Sequence, residues 1–370
     1  MTVRGRLSHR LLRAVGNRAK PEHSGLRMTV NRKPAGWTVI VRKGLALATV
    51  FALALLACRP AVEAQQVGEV RRVGFLYFGS RQTGLGPDRY AAFLDGMRAL
   101  GYIEGKTVII EARFAESRPE RVPDLAEDLL RLKVDVIVAT GSPVYRVLQR
   151  IPAVPPVIIT VTNDPVLEGL AASLARPGGK FTGLTDTAAD LTLKQLELLK
   201  SVLPKLSRVG VLLNPTNGSH PRQATQLILT GQKIGVQVSL GEAGAIAHIE
   251  PAFASLARER VDAVVLFGDT FFSQQLRQIA RGALEHRLPS VYITQEYAEG
   301  GGFVSYGAPI LENFRRAASF VDKVLKGANP SDLPFEQPTR YVLAINMKTA
   351  RALGLTIPQS VLSRADLVVQ

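Results

Sequence analysis

The chain contains an internal repeat of three apolar segments, which occur in the same order in both copies. Each segment is a short run rich in β-branched residues, which is typical of a buried strand. The matched pairs are 71–78 with 207–213, 133–138 with 260–266, and 154–160 with 288–294. Three matched strands in one order are hard to obtain by chance. The repeat therefore predicts two copies of one structural unit.

Amphipathic segments separate the apolar runs, so that predicted strands and helices alternate along the chain. The spacing predicts helices over 87–100 and 122–132, and further strands over 107–114 and 156–161. This alternation is typical of a parallel sheet covered by helices. We predict an α/β fold of two doubly wound parallel-sheet lobes, with a ligand bound between the facing edges where the strands end.

The positive charge is concentrated at the N-terminus. The 370 residues carry a formal net charge of +15. Residues 1–64 contain twelve Lys and Arg against two Glu, which gives +10 and leaves only +5 for the other 306 residues. The region that we expect to fold is therefore only mildly basic, and its charge gives no reason to expect nucleic-acid binding.

An uncharged apolar segment, 44–57, follows the basic stretch. Fourteen residues are too few to span a bilayer, which takes about 20, but they match the apolar core of a secretory signal. We predict a basic leader and signal peptide over 1–64, with Met28 as an alternative start. Two processing sites stay open: a lipobox over 55–58, which would lipidate Cys58, and ordinary cleavage after Ala64.

The region after the signal has few residues that could catalyse a reaction. Cys58 is the only cysteine, so disulfides, thiol catalysis and cysteine metal sites are excluded from the rest of the chain. His220, His248 and His286 lack metal-ligand spacing, and there is no phosphate-binding loop or nucleophile elbow. We expect no enzyme activity, no cofactor and no metal.

Polar residues follow the predicted strands of the first copy, at the edge where doubly wound folds bind ligands. The candidates are Gly79, Ser80, Thr140, Ser142, Thr162 and Asn163. Hydroxyl and backbone N–H groups at such an edge form a natural carboxylate site. We expect Ser80, Thr140 and Ser142 to hold a carboxylate of the ligand.

Two residues of the first copy also have structural interpretations. Ser142 can be the N-cap of a helix in which Pro143 occupies the first turn, and one hydroxyl can both cap and bind. Asp164 is expected to cap a helix over 166–174. The capping and binding roles of Ser142 both stay open.

In the second copy, Asn214 and Asp269 follow predicted strands. We expect Asp269, together with Asn163, to hold the ammonium or polar end of the ligand. The alternative for Asp269 is an N-cap of a helix over 271–286. Tyr306 is a candidate for stacking on the ligand, although aromatic residues at sheet edges more often belong to the core.

One longer stretch, 163–183, resembles the "DPV-x-x-GL…SLARPGGN-x-TG" pattern of a family of ABC-transporter substrate-binding proteins. Further matches lie at 301–307, 332–338 and 345–355, so the resemblance runs from about Arg71 to the C-terminus. The resemblance is to a family typified by tryptophan or aromatic amino-acid binding proteins. The chain departs from the pattern at Lys180, where Asn is usual, and at Phe303, where Met is frequent.

The resemblance implies a periplasmic-binding-protein fold of type I, in which a three-segment hinge joins the lobes. Its crossings would lie near 183–187, 302–305 and 334–341. The segment 311–326 would then pack on the first lobe, and 341–370 would return to the second. The implied lobes are 70–184 plus 306–335, and 186–304 plus 338–370.

These observations together predict an exported substrate-binding protein of an ABC importer that binds a small solute, an amino acid or a related carboxylate. Its expected partner is an ABC permease in the inner membrane. We expect a monomer in the periplasm or another extracytoplasmic space, held by a lipid if Cys58 is processed. The alternative is a ligand-sensing regulator of the same fold, but 1–43 show no paired DNA-binding helices.

Overall fold

The structure is a computed structural model that describes residues 70–81, 88–186 and 188–370. The signal segment, both processing sites and Cys58 lie outside the described residues. Among the described residues, no helix is both long enough and apolar enough to span a membrane.

The first sheet has five parallel strands in the order β2-β1-β3-β4-β5. The strands are β1 (Arg71–Tyr77), β2 (Val108–Phe114), β3 (Val136–Thr140), β4 (Val157–Ile159) and β5 (Phe181–Gly183). The helices of this part of the chain are α1 (Arg89–Ala99), α2 (Val122–Arg131) and α3 (Ser142–Gln149), with a 3-10 turn at Pro119–Arg121. The central strand β3 is buried along its whole length, as expected where helices cover both faces of a parallel sheet.

The second sheet has seven strands in the order β12-β11-β10-β9-β8-β6-β7. They are β6 (Arg208–Leu213), β7 (Gln237–Glu242), β8 (Ala263–Leu266), β9 (Ser290–Tyr292), β10 (Val304–Gly307), β11 (Val342–Asn346) and β12 (Leu367–Val369). The only antiparallel pair in the described sheets is β10 with β11.

Nine further helices lie in the second part of the chain as the structure describes it. They are α4 (Ala188–Val202), α5 (His220–Lys233), α6 (Ile246–Arg258), α7 (Thr270–Gln274), α8 (Leu276–Glu285), α9 (Gln295–Glu299), α10 (Ile310–Leu325), α11 (Met347–Ala352) and α12 (Gln359–Leu362), with a 3-10 turn at Pro330–Asp332.

The predicted repeat is confirmed by the strand order. In the second sheet the run β7-β6-β8-β9-β10 has the same arrangement as β2-β1-β3-β4-β5. Local details also repeat. Lys133 and Arg260 precede matched strands and both adopt left-handed backbone, with φ of 53° and 54°. Asp135 and Asp262 then accept hydrogen bonds from the backbone N–H groups of Arg72 and Arg208, near the start of the neighbouring strand, at 2.7 and 2.8 Å.

Three chain crossings join the two sheets. The first follows β5, and the third lies beside it, because Glu336 forms backbone hydrogen bonds with Gly183 and Thr185. After the second crossing, α10 packs against α1 of the first lobe, as expected for 311–326. The predicted position of the second crossing, 302–305, is wrong. Strand β10 stays paired with β11 as far as Gly307, so the chain leaves the second sheet only afterwards.

Two predicted helices differ in the structure. Residues 166–174 form turns, and the Asp164 carboxylate accepts hydrogen bonds from the Val166 and Leu167 N–H groups without starting a helix. Gly169 has a φ of 70°, which is incompatible with a continuing helix. The helix predicted over 271–286 is divided into α7 and α8 at Gln275.

Candidate ligand-binding cleft

A cavity lies between the two sheets, at the carboxyl ends of their strands. Its volume is about 60 Å³, below the range of about 300–1,000 Å³ that is usual for small-molecule sites, so little space is left between the lobes in this arrangement. Its lining includes five predicted binding residues: Thr140, Ser142, Thr162, Asn163 and Asp269. It also includes residues that the sequence did not single out as binding residues, among them Arg89, Glu168, Asp186, Ser273 and Thr294.

Arg89 is the most informative of the residues that the sequence did not reveal. It is the first residue of α1, whose N-cap is Asp88, and it is only 8% exposed. Burial lowers the pKa of its guanidinium, but Tyr77, Glu296 and Tyr297 raise it, and the net shift is upward. Arg89 is therefore a permanent buried cation in the cavity wall. The only feature of the sequence that indicates a special role for Arg89 is that it is a cation at the start of an apolar helix face.

Thr162 connects the Glu168 carboxylate to the backbone of Asp186. The Thr162 hydroxyl donates to Glu168 Oε1 at 2.5 Å, and its carbonyl accepts from the Asp186 N–H at 2.9 Å. Asp186 is 6% exposed, and its only side-chain partner among the described residues is the Asn313 amide, at 3.4 Å. Burial raises the pKa of each carboxyl group, to about 6 for Glu168 and about 6 for Asp186.

Ser142 does not cap α3. The N-cap is Gly141, and the Ser142 hydroxyl donates to Glu168 Oε2 at 3.3 Å. A neighbouring carboxylate opposes the binding of a second carboxylate, so the expected role of Ser142 is unfavourable in this geometry. Pro143 does occupy the first turn of α3, as expected. The Thr140 hydroxyl shares a 2.6 Å hydrogen bond with Thr160.

Asp269 is the N-cap of α7, which confirms its capping role. Its Oδ1 accepts from the Phe271 and Phe272 N–H groups, at 2.8 and 3.3 Å. The side-chain amides of Asn214 and Asn217 also donate to it, at 3.3 and 2.8 Å. Four N–H donors therefore stabilise this carboxylate, although it lines the cavity.

Side chains at the mouth of the cavity connect the two lobes directly. The Asn163 amide donates to the Gly268 carbonyl oxygen at 2.9 Å and to Ser219 Oγ at 3.1 Å. From the other side, Gln274 accepts from the Ser80 N–H at 3.1 Å and donates to the Tyr77 hydroxyl at 3.3 Å. These contacts bring the lobes together around the cavity.

The remaining predicted residues lie outside this cavity. Ser80 and Asn214 line a second cavity in the same cleft, and Gly79 packs against the side chain of Gln274. Tyr306 is part of β10 and stacks on Tyr341, with 5.6 Å between ring centroids. It is absent from the linings of both cavities, so its predicted place at the ligand is not supported. No group of three His, Cys, Asp or Glu among the described residues could hold a metal ion.

Residues 87–369 match the family model described as "ABC transporter substrate binding protein". The chain belongs to this family. The family consists of binding proteins, and the two parallel-sheet lobes have the fold of periplasmic binding proteins of type I.

Individual relatives agree with this assignment. The chain is similar to a tyrosine-binding protein of Clostridioides difficile (strain R20291), with 24% identity over 71% of this chain and 75% of the relative. The solved ABC domain of Streptococcus pneumonia in complex with L-Trp is 24% identical, with a TM-score of 0.72 over 80% of this chain and all of that one. A conserved domain protein of Vibrio cholerae is 25% identical, with a TM-score of 0.74 over 81% of this chain and all of that one.

Proposed function

We propose that this protein is the exported receptor of an ABC importer and that it closes on an α-amino acid in the cavity between its lobes. The observation that carries the proposal is the presence of a buried guanidinium, Arg89, and a buried carboxylate, Asp186, in the wall of one cavity. An α-amino acid carries the two complementary charges. Family membership and two relatives that bind tyrosine and L-Trp support this class of ligand.

Arg89 is assigned to the ligand carboxylate. A guanidinium presents several N–H donors in a plane and holds carboxylates with paired, charge-assisted hydrogen bonds. This assignment replaces Ser80 and Ser142, because Ser80 lies outside the cavity and Ser142 is bonded to Glu168. Thr140 remains in the cavity wall as a further hydroxyl.

Asp186 is assigned to the ligand ammonium. Its carboxylate is buried and weakly partnered, so an ammonium group would supply the hydrogen bonds and the charge that it lacks. This assignment replaces Asp269, whose carboxylate already accepts four hydrogen bonds. Asn163 is assigned to closure, since its amide is bonded to the second lobe.

Asp186 also lies at the start of the first crossing, between β5 and α4. A ligand held there and at Arg89 would connect the hinge to the cleft and favour the closed arrangement of the lobes. We propose that an ABC permease recognises this closed form, and that the lobes move as 70–184 plus 308–335 and 186–307 plus 338–370. We further propose an extracytoplasmic location, with anchoring through Cys58 if the lipobox is used.

A thermal-shift screen of the purified protein tests the ligand class. The panel contains the twenty amino acids, small organic acids, sugars and purines. We expect one or more amino acids to raise the melting temperature, because a ligand that binds only the folded state stabilises it. A shift with a sugar or a purine, and with no amino acid, would overturn the proposal.

A further inference from the structure

The cavity contains more negative than positive charge. Arg89 is its one lining cation among the described residues, whereas Glu168, Asp186 and Asp269 are lining carboxylates. A fourth carboxylate, Glu296, acts on Arg89 and raises the pKa of that guanidinium. Glu296 is 4% exposed, and its Oε2 has no hydrogen-bond partner among the described residues. Carboxylates therefore outnumber cations around the cavity before any ligand arrives.

The carboxylates differ in how well the protein compensates them. Asp269 receives four N–H donors, two of them from the first turn of α7. Glu168 receives the hydroxyls of Thr162 and Ser142 and the backbone N–H of Asp164, whereas Asp186 receives only the distant amide of Asn313 among the described residues. Neither Glu168 nor Asp186 forms an ion pair within 4.0 Å among the described residues, and the charged neighbour that acts on Glu168 is another carboxylate, Asp164.

Glu168 and Asp186 line the same cavity and are both linked to Thr162. One is bonded to the Thr162 hydroxyl, and the backbone of the other is bonded to the Thr162 carbonyl. Tyr145 lines the same cavity, and its hydroxyl donates a hydrogen bond to the Val161 carbonyl oxygen. The ring therefore contributes an apolar wall beside two acidic groups, a surface that suits an alkyl chain ending in a cation.

We infer that the preferred ligand is an amino acid with a second cationic group on its side chain, of the lysine or arginine type. This inference rests on the proposed function. The α-carboxylate would bind Arg89, the α-ammonium Asp186, and the side-chain cation Glu168. A neutral amino acid would leave Glu168 buried without a counter-charge, and burying an unpaired charge is costly. At pH 7.5 both carboxyl groups are mostly ionised, since burial raises the pKa of each only to about 6.

Isothermal titration calorimetry with pairs of similar shape tests this inference. The ligands are lysine against norleucine and arginine against citrulline, with tyrosine and tryptophan as aromatic references, at pH 7.5. We expect each cationic ligand to bind at least about tenfold more tightly than its neutral partner, equivalent to about 1.4 kcal/mol. Ratios below about threefold would overturn the inference.

Two variants locate the effect. Glu168→Gln keeps the shape and the hydrogen bond to Thr162 but removes the charge, and we expect it to bring both ratios below about threefold while norleucine binding persists. Glu127→Gln makes the same change at an exposed position of α2 and should leave the ratios unchanged. An unchanged ratio in Glu168→Gln would also overturn the inference, and if that variant does not fold, the wild-type ratios decide.

The outcomes separate this inference from the proposed function. If neither the cationic nor the neutral amino acids bind, the proposed function fails. If neutral or aromatic amino acids bind as tightly as lysine and arginine, the proposed function stands and only the cationic preference is wrong.

Discussion

The two lobes share a framework at the amino ends and middles of their strands, whereas the carboxyl ends carry different chemistry. Gly74 and Gly210 occupy matched positions, where a Cβ would press on Leu129 at 3.1 Å and on Leu256 at 3.0 Å. Asp135 and Asp262 tie matched strands together. At the carboxyl ends, the first lobe contributes the charges of Arg89 and Glu168, the first crossing contributes that of Asp186, and the second lobe contributes mainly Asp269 with its amide donors.

This difference shows at which positions of the two repeats the residues could be substituted. Residues that fix helix against sheet must keep their size, because tightly packed interiors tolerate little change in volume. Residues at the carboxyl ends of the strands face the cleft, where side chains can change without disturbing the packing. The following predictions test the shared framework and the divergent edge.

The largest effect is expected at the last residue of the final matched strand in each lobe. Gly183 ends β5 with a φ of 138°, and a Cβ there would overlap the Ile159 carbonyl. Gly307 ends β10, and a Cβ there would overlap the carbonyl of the matched residue, Ile293. Gly183→Ala and Gly307→Ala should both abolish folded expression, as measured by circular dichroism and thermal melting.

Gly179→Ala is the matched control, since nothing lies within 4 Å of a Cβ at that position. Its free energy of unfolding should lie within about 0.5 kcal/mol of the wild-type value, as is usual for surface substitutions. If Gly307→Ala folds normally while Gly183→Ala does not, the two crossings are not structurally equivalent.

The next largest effect is expected at Arg89. Arg89→Met removes the buried cation but keeps an apolar stem, and it should weaken binding of the best amino acid at least about a hundredfold, as expected for loss of a buried charge pair. Titration calorimetry measures the change. Arg98→Met, at an exposed position on the same helix, should bind like the wild type.

Retention of wild-type affinity in Arg89→Met would exclude Arg89 from the carboxylate site. Because the substitution leaves Glu296 without its cation, the melting temperature of the unliganded variant is measured alongside. Folding combined with lost binding is the expected result.

A smaller effect is expected from pH. Burial raises the pKa of Glu168 and of Asp186 to about 6. Both groups therefore gain protons between pH 7.5 and pH 5, and binding of a cationic amino acid should weaken over that interval by about tenfold for each of the two groups. Without ligand the sign is opposite: a raised folded-state pKa favours the protonated folded form, so this contribution to stability is lost as pH rises through about 6.

Calorimetry at several pH values measures the change in ligand affinity, and thermal melting without ligand at the same pH values measures the change in stability. Other titratable groups near the cleft are Asp164, Tyr145, Asp269, Arg89 and His220; burial lowers the pKa of His220. The double variant Glu168→Gln, Asp186→Asn isolates the two carboxyl groups, and any remaining affinity should vary much less with pH. An unchanged pH profile in the double variant would assign the effect elsewhere.

The smallest effect is expected from matched substitutions in the framework that the two lobes share. Asp135→Ala and Asp262→Ala each remove the hydrogen bonds that begin a matched strand. Each should lower the free energy of unfolding by about 1 kcal/mol, with little change in ligand affinity, as shown by urea denaturation and calorimetry. A loss of affinity in one variant alone would mean that the two frameworks affect the cleft differently.

Much of the fold could be predicted from local patterns. The matched segments predicted β1 with β6, β3 with β8 and β4 with β9, because continuous apolar runs identify strands that are buried on both faces. The helix predicted over 166–174 failed for a local reason, since Gly169 adopts left-handed backbone within the run. The end of β10 was missed because its pairing with β11 joins residues about forty positions apart.

Less of the site could be predicted. Thr140, Thr162 and Asn163 were found because they follow strands, and parallel strands bring their carboxyl ends to one edge. Glu168 and Asp186 lie in a turn segment and at a crossing, where no periodic pattern indicates which way a side chain points. Arg89 was missed because a cation at the start of a helix is usually solvated.

The sequence by itself determined two repeated α/β lobes, the edge at which a ligand would bind and the family to which the pattern belongs. These features follow from apolar periodicity and turn residues, which act over short stretches of chain. The tertiary structure decided which charges face the ligand. Packing of α10 on α1 and the first crossing bring Arg89 and Asp186, almost a hundred positions apart, into the wall of one cavity. Their burial gives the cavity its charge, and burial is a property of the assembled fold.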